Sequence, residues 1–191
     1  MKQLSKTANT GMFVALAALM LATRFHHFGT ALHLPDASMA IFFMGGLYLR
    51  KHWQFAVFAL LAGVIDWAAV SLSGVSDFCV TPAYSFLLPA YAVLWYGARL
   101  CADRVQLTWS SAAITLLVGL VCASLSFAIS NGAFYWIGGR NPDTSFAGWI
   151  ASLLQWGPLF VRTTMAYLAG AAVVHALVAR VLAGREAGAR A

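Results

Sequence analysis

Charge is what this sequence has least of. Asp and Glu number six and Lys and Arg 12, together 9% of 191 residues, against roughly 25% in soluble domains. So few charges cannot cover a water-facing surface. Apolar residues make up 61% of the chain and are spread along its whole length. No stretch is left for a separate soluble part, so residues 1–191 are expected to form a single transmembrane domain. The three cysteines, Cys79, Cys101 and Cys122, show no CxxC spacing, which excludes both a zinc site and a disulfide framework. No G-x-x-x-x-G-K-[ST] run is present, which excludes ATP hydrolysis by a Walker A loop. The net charge of +6 is not gathered into the basic face that nucleic-acid binding requires. After the apolar run 11–22, Thr23-Arg24-Phe25-His26-His27 lacks a small-residue cleavage site, so this run is expected to stay as a first span.

What is there is long apolar segments. Six are expected to be transmembrane helices, at 10–28, 35–49, 53–72, 82–98, 109–130 and 149–179, an all-α polytopic membrane protein. Pro35 suits the first turn of the second, Pro89 is expected to kink the fourth, and an interfacial piece is expected before Pro158 in the long sixth. Lys2, Lys6, Arg50, Lys51, Arg99, Arg104, Arg180, Arg185 and Arg190 fall on one set of ends, and only Arg24 and Arg140 on the other. The positive-inside rule then places both termini in the cytoplasm. Trp53, Trp109, Trp136 and Trp149 lie near the predicted interfaces, as an aromatic belt requires.

Polar groups in hydrocarbon cost energy and point to function. Arg24, His26 and His27 end the first span; Asp66 lies inside the third, Arg162 inside the sixth, and Asp77, Cys79 and Tyr84 around the loop before the fourth. All but Arg162 fall in the outer half, so a chemical centre facing outward is expected. Asp66 and Arg162 are also candidates for an ion pair locking two helices. Cys101 and Cys122 read as small buried hydrophobes. Cys79, in Ser76-Asp77-Phe78-Cys79-Val80-Thr81-Pro82-Ala83-Tyr84, precedes an expected helix N-terminus, which favours its thiolate. One thiolate is a poor cage for a bare ion but is enough for a metal already held in a macrocycle. Gly11, Ala15, Ala18 and Ala22 form a small-residue stripe on the first span that permits close helix approach, either within the protein or with a partner.

Together, His26-His27 after the first span, Leu34-Pro35-Asp36-Ala37-Ser38, Asp66, and Asp77-Phe78-Cys79 before Pro82 and Tyr84 resemble the BtuM proteins, vitamin B12 (cobalamin) transporters similar to the S-components of energy-coupling-factor transporters. The resemblance covers nearly the whole chain and is most specific around Cys79. It implies a six-helix S-component-like bundle in the cytoplasmic (inner) membrane, with a pocket open to the outside. Cys79 is then an axial ligand to the corrinoid cobalt, with a possible part in axial-ligand exchange, and His27, Asp66 and Tyr84 are further pocket residues. It also implies that the Ala18/Ala22 face meets a partner membrane subunit, with the ATPases on separate chains. Two other readings stay open: a membrane haem-binding redox protein using His26, His27 or His175, and a cobalt or nickel ion permease.

Overall fold

The computed structural model describes residues 5–25, 34–106 and 108–188. Among them are six α-helices and no strand: α1 (Lys6–Arg24), α2 (Ser38–Tyr48), α3 (His52–Ser73), α4 (Leu87–Cys101), α5 (Trp109–Ile137) and α6 (Phe146–Gly188). Short 310 turns cover Asp77–Cys79, Pro82–Phe86 and Ala102–Arg104. The ends are set by local chemistry. Ser5 caps α1, its Oγ accepting from the Ala8 amide at 3.2 Å, and Thr108 caps α5 through the Ser111 amide at 3.2 Å. Gly74 closes α3 in the left-handed conformation at φ 65°, where glycine carries no Cβ penalty.

The core is α2. Nine of its 11 residues are buried, so it is apolar on every side rather than on one face. It packs closest on α4, and two glycines make that possible. A Cβ on Gly45 would fall into the Trp95 ring, and one on Gly46 against the Trp95 carbonyl. Phe42 stacks on Tyr91 with ring centres 4.0 Å apart and an interplanar angle of 10°. The helices alternate in direction. At one end Asn9 meets Gln54 at 2.9 Å and Arg50 meets Asp103 at 2.6 Å. At the other, Arg24 meets Asp66 and Tyr84 approaches the same carboxylate. The start of α1 and the later part of α6 therefore share the Arg50 end.

Among the described residues, three helices are long and apolar enough to cross a membrane: His52–Ser73, Trp109–Ile137 and, in α6, Phe146–Val181. At 1.5 Å per residue α2 is only about 16 Å long, about half a bilayer core. Several expectations about the elements change. Pro35 precedes α2 instead of opening it, and its carbonyl accepts from the Tyr167 hydroxyl at 2.7 Å. Pro89 does not kink a helix: the backbone runs as a 310 segment to Phe86, so Pro89 falls in the first turn of α4, where a missing N–H costs little. Pro158 lies inside α6, which runs as one helix through it.

Candidate functional site

Leu16, Met20, Thr23 and Arg24 are the buried residues of α1. Their spacing of four, three and one places them on one face, which turns the last residue of the helix, Arg24, inward. Arg24 is 2% exposed. Its Nε donates to Asp66 Oδ1 at 2.8 Å and its Nη2 to Asp66 Oδ2 at 2.7 Å, the two-pronged geometry that makes arginine–carboxylate pairs strong. Its Nη1 donates to the Ser38 hydroxyl and to the Tyr91 hydroxyl, each at 2.8 Å, and lies 3.5 Å from Asp36 Oδ2. Ser38 in turn donates to Asp36 Oδ1 at 2.6 Å. The Tyr84 hydroxyl donates to Asp66 Oδ2 at 2.6 Å. One guanidinium thus joins α1, the start of α2, α3, α4 and the 310 segment before α4 in a single polar layer. A buried charge is tolerated only when its partners are this complete.

The layer lies at the foot of a step. Tyr167, which meets Pro35 at the start of α2, comes well after the start of α6. The preceding part of α6 therefore extends about 30 Å past that level. The later part of α5 rises with it, tied by Asn131 to Ser152 at 3.0 Å and by the Tyr135 hydroxyl to the Ser145 amide at 3.1 Å. Against this wall lies the 310 turn Asp77–Cys79, its Phe78 ring 5.4 Å from that of Phe134 on α5 and its start capped by Ser76, whose Oγ accepts from the Phe78 amide at 3.2 Å. Arg140 ties the turn to the wall. Its guanidinium lies 5.2 Å from the Phe78 ring centre, and its Nε donates to the Phe78 carbonyl at 3.3 Å.

Of the residues singled out from sequence, Asp66 and Tyr84 are brought together. The backbone of Cys79 closes the 310 turn Asp77–Cys79. The Cys79 thiol, His26 and His27 lie outside the described residues. The expected pair of Asp66 with Arg162 is not formed. Asp66 is held by Arg24, and Arg162 is exposed. Thr164 and Leu168 are buried on α6, and Arg162 stands about 160° and 120° around the helix from them, on the outward side. The helix expected just after Cys79 is a five-residue 310 segment beginning at Pro82, so the macrodipole acting on that thiol is small. Cys101 and Cys122 are free and buried; Cys122 Sγ occupies the space a Cβ on Gly97 would need.

Arg24 is the centre of this layer, and the sequence reading named it only as a costly polar group at the end of the first span. The signal was its place on the Leu16-Met20-Thr23 face. Chemically, the layer offers hydroxyls and carboxylates to a polar ligand resting on it, and it is too fully engaged to act as a general acid or base. No three His, Cys, Asp or Glu side chains converge as a cage for a bare ion among the described residues. His175 pairs with the Tyr48 hydroxyl at 3.3 Å near the end of the bundle opposite Arg24. Neither protein-family models nor curated proteins match this chain, so its function is read from its own residues and geometry.

Proposed function

We propose that the chain is a six-span protein of the cytoplasmic membrane, resembling BtuM and the S-components of energy-coupling-factor transporters. In this reading it binds cobalamin or a close corrinoid on its outer side and passes it inward. The observation that carries this is a polar layer of Arg24, Asp36, Asp66 and Tyr84 at the end of the bundle where the Cys79 turn packs on the raised part of α5. A corrinoid is wide and flat, edged with amides and centred on a metal with four ring nitrogens. The layer suits the amides, and one thiolate from the turn suits the open axial position. His27 belongs to the segment leading away from Arg24 and is the proposed second contact from that side. Cys101 lies at the opposite end and Cys122 packs on Gly97, which leaves Cys79 as the cysteine of this end.

Both termini are placed in the cytoplasm by the loop charges, and the bundle supports this by carrying the start of α1 and the later part of α6 at one end. Gly11, Ala15, Ala18 and Ala22 are all exposed, which favours the outward use of the stripe: docking of a partner membrane subunit that brings separate ATPases. The experiment that tests ligation is the absorption spectrum of purified protein with added cobalamin. Cys79→Ser is expected to abolish the shifted corrinoid bands and weaken binding, while Cys101→Ser and Cys122→Ser keep both. An unchanged bound spectrum in Cys79→Ser rules out sulfur coordination.

A further inference from the structure

The end of the bundle opposite Arg24 carries a second concentration of charge. A cavity of about 890 Å3 opens there between the α2–α3 turn and the end of α4. Arg50, Lys51, His52 and Arg99 line it, with Asp103 as the one acid. Arg50 has φ 65° and is the one residue other than glycine with positive φ among those described. A side chain is held in that conformation only when its surroundings fix it, and such sites are often functional. Here the conformation directs the guanidinium along the cavity wall. Nε donates to the Leu47 carbonyl at 3.2 Å and Nη1 to Asp103 at 2.6 Å. Nη2 is buried and meets no acceptor. A guanidinium nitrogen enclosed without an acceptor is costly, so the Arg50 head is only partly satisfied by Leu47 and Asp103.

Arg99 brings a second guanidinium to the cavity. Arg99 Nη1 lies 3.0 Å from His52 Nε2, and arginine can only donate. His52 Nε2 therefore accepts, and its Nδ1 carries the proton donated to the Tyr96 hydroxyl at 2.8 Å. Arg50 holds the Asp103 carboxyl below its ordinary range, by hydrogen bond first and then by charge. Beside this basic group Trp53 is 55% and Leu100 82% exposed, at the level where α3 begins and a headgroup layer would lie.

We propose that this cavity binds the phosphate of an anionic phospholipid from the leaflet at this end, with Arg50 and Arg99 on the phosphate and Trp53 and Leu100 against the upper part of the lipid chains. A ligand with an anionic head and an apolar tail matches a basic cavity with an apolar rim; an acidic peptide would leave that rim uncovered. Arginine's planar fork is the natural partner of a phosphate. The inference rests on the membrane reading and is independent of the corrinoid.

The test uses the full chain and phosphatidylglycerol as probe. Protein is reconstituted in nanodiscs of phosphatidylcholine with graded phosphatidylglycerol, and retained lipid is counted by native mass spectrometry. Phosphatidylglycerol is expected to be enriched, and Arg50→Gly and Arg99→Gln are each expected to weaken its retention about tenfold. Arg180→Gln, exposed on α6, is expected to change nothing. Arg50→Gly is informative because glycine adopts φ 65° freely: the lipid-free Tm should hold while retention falls. A lower Tm with lipid retained assigns Arg50 a structural role and overturns the proposal. Displacement of the lipid by glycerol phosphate at equal concentration makes it a free-phosphate site, and displacement by an acidic peptide makes it a protein-docking site; either overturns it. Insertion without preference for phosphatidylglycerol defeats this inference alone, whereas protein that stays soluble without detergent and does not insert defeats the membrane reading.

Discussion

Arg24 and Asp66, 42 residues apart in the chain, face each other through two parallel hydrogen bonds of 2.8 and 2.7 Å, both side chains buried, towards one end of the bundle. Removing one partner of such a pair leaves an uncompensated charge, at a cost of about 3–5 kcal/mol. Arg24→Gln and Asp66→Asn should each lower the detergent Tm sharply. The double change should cost clearly less than their sum, because the second removal takes away the orphan left by the first. Arg162→Gln, on an exposed site, should stay within about 0.5 kcal/mol. Additive losses at Arg24 and Asp66 would show that the two do not act as a pair.

The α2–α4 contact depends on glycine at a position where a backbone atom, not a flexible side-chain end, fills the space. Gly46→Ala should push α2 off the Trp95 carbonyl and cost about 1–3 kcal/mol, as overpacking does. Gly63→Ala is the matched control. Nothing lies within 4 Å of a Cβ there, and alanine is the better helix former, so a neutral or slightly raised Tm is expected. Equal effects at both positions would mean that close packing is not what Gly46 provides.

In the proposed transporter reading, the outward stripe on α1 is expected to serve transport and not binding. Ala18→Trp and Ala22→Trp place bulk on exposed positions, so corrinoid binding and Tm should hold while uptake into cells is lost. Normal uptake by both variants would remove this face as a docking surface. Loss of folding would place it inside the protein.

Much of the helical layout was legible because each segment is an apolar run bounded by charge or by Pro and Gly. The termination of α3 at Gly74 and the start of α5 at Trp109 fall within a residue or two of where composition changes. What was not legible was rotation and depth. Asp66 was recognisable as a costly group, but choosing Arg24 over Arg162 required knowing which way each helix faces. That is readable for α1, whose buried residues share one face, and poorly readable for α6, which is apolar nearly all round. Pro158 does not interrupt α6, since a proline inside an apolar helix is tolerated where its neighbours satisfy the backbone. Depth is hidden for a related reason: an apolar run gives a helix's length but not where its neighbour stops, so the step between α2 and α6 could emerge only from the Tyr167–Pro35 contact.

The separation of Arg24 from Asp66 in the chain also has a consequence for how the protein is made. At about 5–20 residues per second, the ribosome takes roughly 2–8 s to deliver Asp66 after Arg24. In the membrane reading, α1 enters the bilayer before its counter-ion exists. Arg24 is the last residue of its helix, so its long side chain can wait at the water boundary. Asp36 and Ser38 arrive first, ahead of a helix too short to insert alone. Only when α3 follows can the guanidinium be drawn inward, which makes the first three helices a single unit of biogenesis, closed by one ion pair.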